Sequence, residues 1–387
     1  MIDAIGQYII DLLGKSIIPD ADMPSIPGNA NIQSIANIII NNGILLTVFP
    51  TLSQDTSTQA KELQNKLSKL YYPSLKQTIM QNNEGISIQA ALSNEGLDLI
   101  ALKGWELRKL YPEDTRRSMA DLDILVRNYN FKIISEVMNK LGYKSGSESP
   151  WKHDSFTKDI VTVEMHKRLT DDSKYVQAWE QRMWDNSTAS KDNKHIFLMS
   201  DEDYYIFHFL HLQKDTLNGS LGLRRVADTW LYKNAHKAMN REYLDKEFKN
   251  MGLTQFVKRL EKFADDCFTN KEFDENSLIM LNHALYAGIY GNGKSYKAGR
   301  IARMSDDSVN KGKVRSFLSA VFLPIDRMKA HFPNLTKYPI LLPYYWVVRI
   351  IRLSKNGRKF KNKLDYSDIS QADYAEMKQF FSACGLD

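Results

Sequence analysis

The sequence predicts an α+β fold, a small mixed-sheet core between helical regions at both ends. Three observations carry this. Two short apolar runs, 99–102 and 124–126, have the length and composition of buried strands. Residues 160–166 alternate in β fashion. With the polar Lys158-Asp159 and the preceding Ser155-Phe156-Thr157, they read as a hairpin. From Asp201 onward the apolar spacing is helical. The organisation that follows is an N-terminal helical region over 1–96, a core over 97–200 and a C-terminal helical region over 201–387.

Each element has its own local reason. Residues 1–16 form an amphipathic helix with Ile5, Ile9, Leu12 and Leu13 on one face. Pro19, Pro24, Pro27 and Gly28 make 18–30 a loop, and 32–40 is apolar and helix-like. Residues 56–95, rich in Gln, Lys, Leu and Glu, read as two helices broken near Asn82-Asn83 and packed on the sheet. The core then runs as strand 99–102, a helix from Trp105, strand 122–126, and helix 131–141 stopped by Gly142. The hairpin 153–167 follows, with helices expected on one face of the mixed sheet. Asp201, Glu202 and Asp203 suit the first turn of a helix. Residues 240–290 suggest amphipathic helices with Phe248, Leu253, Phe256, Val257 and Leu260 as core; 298–315 reads as a polar, mobile connection, and 371–383 as a last amphipathic helix.

Composition narrows the classes. The 387 residues, 43% hydrophobic, are ample for a core. A net charge of +6, from 52 basic against 46 acidic residues, suits an anionic substrate such as a nucleotide without arguing for nucleic acid. Cys267 and Cys384 are too few for a disulfide framework, and no Cys/His cluster has zinc spacing. The N-terminus lacks a basic n-region, and no apolar run approaches the roughly 20 residues a bilayer needs. A cytoplasmic protein is the expectation.

The chemistry gathers at 117–126. Asp121 and Asp123 open a strand two residues apart, so both carboxylates point the same way. Such like charges repel unless a cation lies between them, and oxygen ligands suit Mg²⁺ or Mn²⁺. A solvated strand end is the plainer alternative for the pair alone. Arg117 is spaced to meet a phosphate or to balance the acids. Upstream, Lys103-Gly104 follows a strand, where glycine lets the backbone approach a phosphate and lysine adds a charge. Downstream, Glu164 offers a third carboxylate on a neighbouring strand. Two metals held by such acids can activate a hydroxyl and stabilise a leaving pyrophosphate.

At these residues the chain resembles the nucleotidyltransferase superfamily related to DNA polymerase beta. More closely, it resembles the bacterial group described as uncharacterised nucleotidyltransferases. Leu102-Lys103-Gly104, Tyr111-Pro112, the block 117–126, and Glu164 with His166 carry the likeness, followed by His211, Arg225, Asp228 and 338–343. Two departures stand out: Trp105 sits where a second small residue is usual, and Glu164 where many members have Asp. The resemblance implies transfer of a nucleoside monophosphate from an NTP, ATP before others, to an unknown hydroxyl-bearing acceptor. Asp121, Asp123 and Glu164 would be catalytic and hold Mg²⁺ or Mn²⁺. Lys103, Gly104, Arg117, His211, Arg225 and Asp228 would bind the nucleotide. The rivals are a toxin-like relative that modifies protein or tRNA, and a non-catalytic binding module of the same fold.

Three further patterns have competing explanations. Residues 288–295 match a P-loop literally, but a helix-like run precedes them, so they read as a turn. His208 and His211 share a helical face without further zinc ligands, which favours a core or substrate-facing role. The apolar 341–353, with Tyr344, Tyr345 and Trp346, runs into Arg349, Arg352, Lys355, Arg358, Lys359, Lys361 and Lys363. That segment suits an anionic membrane surface or nucleic acid; a packed helix with a solvated basic end is favoured over both.

Overall fold

A computed structural model describes residues 2–148, 153–169, 174–289, 291, 293–305, 308–355 and 365–386. The N-terminal part holds α1 (Ala4–Ile17), α2 (Ile32–Asn41), α3 (Leu45–Leu52) and the long α4 (Thr58–Asn94). The core follows as β1 (Leu99–Ala101), the single turn α5 (Gly104–Leu107), β2 (Leu122–Val126), α6 (Phe131–Lys140), β3 (Lys144–Glu148), β4 (His153–Lys158) and β5 (Val161–His166). Next come α7 (Lys174–Asn186), β6 (Thr188–Ala189) and β7 (Ile196–Leu198). Helices complete the chain: α8 (Asp201–Leu217), α9 (Leu223–Ala235), α10 (Arg241–Asn250), α11 (Thr254–Asp265), α12 (Glu275–Ala287), α13 (Gly293–Met304), α14 (Val309–Val321), α15 (Ile325–His331), α16 (Leu342–Lys355) and α17 (Gln371–Cys384).

The sheet has seven strands in the order β3-β4-β5-β2-β1-β7-β6. The 153–167 segment is the hairpin its alternation indicates, and β5 then lies parallel to β2 with Asp123 opposite Glu164. β1 runs antiparallel to β2 and parallel to β7. Side-chain alternation divides the strands between two cores. Leu99, Ala101, Leu122, Ile124, Val126, Val163 and Met165 pack with Ile88 and Leu92 of α4 and with Ile134, Val137 and Met138 of α6. Ile100, Leu102 and Leu125 point the other way, into the larger core with Trp179, Tyr204 and the helices of both ends. Helices therefore cover both faces of the sheet, not one.

Other expectations change for identifiable reasons. α4 passes through Asn82-Asn83 without a break. Asn82 Oδ1 accepts a hydrogen bond from Arg108 there, Gln81 is buried, and Gly85 receives the Trp105 ring. Tertiary contacts thus outweigh the weak helix propensity of two asparagines. The helix begun at Gly104 ends after one turn, and 3₁₀ turns follow it. Within 298–315, residues up to Met304 and from Val309 onward are helical rather than a loose connection, because Ala298, Ile301 and Ala302 give α13 a small apolar stripe that packs into the core. The P-loop look-alike begins at the cap of helix α12 and not after a strand, and its Lys294 pairs with Asp373 at 2.8 Å. The 341–353 helix is packed on one side only. Trp346 donates to the Leu323 carbonyl at 2.9 Å, while Tyr344, Val347 and Ile351 are exposed. Arg358, Lys359, Lys361 and Lys363 lie outside the described residues. Among the described residues, no helix is long and apolar enough to cross a membrane.

Candidate active site

Asp121 and Asp123 reach the cleft because Leu122, Ile124 and Val126 commit the opposite face of β2 to the core. The loop before β2 is held from three sides. Gln81 of α4 donates to the carbonyls of Met119 and Ala120, each at 3.3 Å. Arg224 of α9 donates to the Ser118 carbonyl at 2.8 Å, and Thr47 of α3 to the Arg116 carbonyl at 2.7 Å. The helical regions at both ends thus set the position of the acid pair.

Glu164 sits beside Asp123 on the adjacent strand, on the same face. Asp123 is 4% exposed, and its Oδ1 receives both Lys103 Nζ at 2.5 Å and His166 Nε2 at 2.7 Å. Burial alone would push its carboxyl up; the lysine charge and the histidine contact override this and hold it far below the usual carboxylate range. Lys103 and His166 shift up in return, because Asp123 outweighs the effect of burial on each. Asp121 fares differently. No cation pairs with it among the described residues, and burial together with the Asp123 charge pushes it up to about 6. Glu164 lies 3.3 Å from His153 Nε2 and 3.4 Å from His166 Nε2, and His166, ahead of His153, holds its pKa down against burial. His153, Glu164 and His166 form a group able to hold a metal ion.

The turn after β1 departs from expectation. The unusual backbone belongs to Lys103, with φ 46° and ψ −119°, and not to Gly104. The Tyr204 hydroxyl donates to the Lys103 carbonyl at 2.7 Å and holds it there. A Cβ on Gly104 would lie 2.5 Å from Arg117 Nη1 and 2.7 Å from Met119 Cγ, so the glycine makes room for Arg117. Trp105, the departure from the superfamily pattern, turns away into the α4 notch, where a Cβ on Gly85 would overlap its ring at 1.8 Å. Arg108 lies over that ring, 4.2 Å from its centroid.

Lys103, Gly104, Arg117, Asp121, Asp123, His211, Arg225 and Asp228 come together around one cavity of about 270 Å³. Arg117 and Asp228 form a buried bidentate pair, 2.7 Å on both arms, and Asp228 also accepts from the Tyr111 hydroxyl at 2.9 Å. Arg225 lies 2.6 Å from Asp215, which His211 Nδ1 also approaches at 3.0 Å. Burial, then the Lys103 charge, lowers His211 to about 4 and keeps its ring neutral at pH 7. His208, buried on this cavity's wall, shares a hydrogen bond of 2.8 Å with Thr229. Glu164 is not on this cavity wall; it reaches the acid cluster from β5.

The sequence reading missed His153 and Asp215 as parts of the site, and gave His166 no role. His166 was within reach, since it follows Glu164 by two residues on one strand and so shares its face. Asp215 follows His211 by four residues on one helix, a spacing that also brings side chains together. His153 depends on the hairpin register, which places it opposite His166.

Among curated proteins, none matches this chain. Among solved structures, the chain is similar to the solution structure of the antibiotic-resistance factor ANT(2'')-Ia, with 14% identity and a TM-score of 0.35 over 45% of this chain and 94% of the other. A model of one family matches 28–269, which takes in the N-terminal helices that brace the acid loop, the sheet, and the helices that carry His211, Arg225 and Asp228. By that match the chain belongs to the family of uncharacterised nucleotidyltransferases.

Proposed function

We propose that the protein transfers a nucleoside monophosphate from an NTP to a hydroxyl acceptor and releases pyrophosphate, with Mg²⁺ or Mn²⁺ held by Asp121, Asp123 and Glu164. The observation that carries this is the Asp121 carboxylate. It is half-buried, two residues from a second carboxylate, and without a cation partner among the described residues. Among the described residues, no donor meets Asp123 Oδ2, since Lys103 and His166 both use Oδ1. An all-oxygen set of this kind fits a hard divalent cation. When bound, the metal supplies Lewis-acid activation of the hydroxyl and neutralises the leaving pyrophosphate.

The chain's own residues do the rest. Lys103 and His211 face the phosphates from the first cavity, with Arg225 steadying negative charge there. Arg117 and Asp228 line the same cavity and hold the Asp121 loop in place. The acceptor oxygen bonds to the α-phosphorus as the bond to the β-phosphate oxygen breaks, and pyrophosphate leaves with that electron pair. Glu164, oriented by His153 and His166, takes the hydroxyl proton. Calorimetry with each NTP, ATP first, with and without Mg²⁺, tests the reading on wild type and on Asp121→Ala/Asp123→Ala. Metal-dependent binding in wild type that disappears in the variant is the expected result. A folded wild type that binds no NTP and releases no pyrophosphate sinks it.

A further inference from the structure

A second and larger cavity, of about 620 Å³, adjoins the first at Lys103. It shares Lys103, Phe207 and His211 with the first, and His166 of the acid cluster lies in its wall. Leu102, Leu169, Leu210 and Leu217 give it an apolar side. Lys214, Arg300, Arg303 and Arg327 add four cations, and no carboxylate lines it among the described residues.

These cations are arranged, not merely present. Arg300 and Arg303 are three residues apart on α13 and so share a face. Arg300 is half-buried and donates to the Ser316 carbonyl and to Ser319 Oγ, both at 3.1 Å. Arg303 donates to Asn218 Oδ1 at 3.0 Å. Neutral acceptors thus aim two guanidiniums while leaving their charge uncompensated, and no ion pair forms at Lys214, Arg300, Arg303 or Arg327 among the described residues. This contrasts with Arg117 and Arg225, each of which has a carboxylate. Like charges collected without counter-charge repel, and an anion removes that cost. Guanidinium forks match the paired oxygens of phosphate.

We propose that this cavity seats the acceptor, and that the acceptor carries a phosphate group in addition to its reacting hydroxyl. The proposal rests on the nucleotidyl-transfer reading for the word acceptor; the phosphate seat itself does not. In-line displacement requires the attacking oxygen and the leaving pyrophosphate on opposite sides of the α-phosphorus. Two cavities that meet at Lys103 beside the acid cluster give the nucleotide and the acceptor separate seats there. The hydroxyl end lies by His166 and Lys103, the phosphate at the arginine mouth, and the body of the molecule against the leucines.

The test uses the full chain and two probes that differ by one phosphate, glycerol 3-phosphate and glycerol, in calorimetry. Wild type binds the phosphorylated probe at least about tenfold more tightly, the effect of one or more charge-assisted hydrogen bonds. Arg303→Gln/Arg327→Gln, at exposed positions, loses that preference while the Tm holds. Arg303→Lys/Arg327→Lys keeps part of it. Mg²⁺-ATP neither displaces the probe nor binds the Gln variant more weakly. Dihexanoyl phosphatidic acid as a third probe separates the sources: tighter binding than glycerol 3-phosphate assigns the phosphate to a lipid-linked acceptor, equal or weaker binding to a free one. Three results overturn the proposal: no preference for the phosphate in wild type, a preference that survives the Gln changes, or Mg²⁺-ATP affinity that falls with it, which would make the cavity the triphosphate seat. A wild type that shows the arginine-dependent preference but no NTP binding overturns the nucleotidyl-transfer reading and leaves the phosphate seat standing.

Discussion

On the sheet wall of the cleft, Asp123 and Glu164 take up one lysine and two histidines between them; on the helical wall, Asp215 and Asp228 each have a guanidinium of their own. Both walls are polar and both are lined by residues that any motif reading would single out. The difference lies in what is left over. On the helical wall each carboxylate is already matched by a guanidinium, and those pairs brace the site. The sheet wall leaves Asp121 with a raised pKa and, among the described residues, no cation partner, a state that a cation from solution would relieve. Charged residues in a cleft therefore divide into those that fold the site and those that wait for a ligand, and pairing tells them apart better than residue type does.

The sharpest break of this comparison is Asp121→Asn against Arg117→Ala. Asp121→Asn is expected to lower kcat by about three orders of magnitude, the several kcal/mol that a metal-holding carboxylate contributes to a charged transition state. It should also raise the Tm, by about 1–2 kcal/mol of stability at pH 7, because it removes a like charge beside Asp123. Arg117→Ala should move stability in the opposite direction. It leaves Asp228 charged, 1% exposed and unpaired, at a cost of about 3–5 kcal/mol read from denaturant unfolding. Arg117→Met/Asp228→Leu should recover much of that stability. If Asp121→Asn destabilised and Arg117→Ala did not, the division between the walls would be wrong.

A smaller effect sharpens the account of the helical wall. Burial lowers His208 to about 4, against about 6.5 in the unfolded chain. The folded pKa is the lower one, so its contribution is complete above pH 6.5 and is lost as pH falls towards 4, at up to about 3 kcal/mol. His208→Gln, which can keep the contact with Thr229, should flatten the fall of stability over that window. An unchanged slope would show that His208 does not stay neutral in the folded protein.

How far the sequence reaches can be judged element by element. The acid pair and the hairpin were legible because strand alternation is local, and two residues fix which face a carboxylate takes. The continuity of α4 was not, since it depends on Arg108 reaching back to Asn82 and on the Trp105 ring at Gly85. The bond between Arg117 and Asp228 spans 111 residues, and spacing within either motif says nothing of it. The two short strands β6 and β7 exist through pairing with each other and with β1, since a run as short as Ile196-Phe197-Leu198 does not announce a strand by itself. Local rules thus found the residues that carry charge to the cleft, and the packing of distant helices decided which of those charges are spoken for.

Lys103 holds a backbone shape, φ 46° with ψ −119°, that glycine adopts without strain and that costs other residues about 1–3 kcal/mol. A library of this chain sorted for thermal survival alone should therefore drift to glycine at 103 wherever the relief outweighs the lost contact with Asp123. A library sorted for turnover should keep lysine. Position 103 is where the two sorts would part, and the frequency of glycine recovered there would measure how much folding stability the cleft gives up for its work.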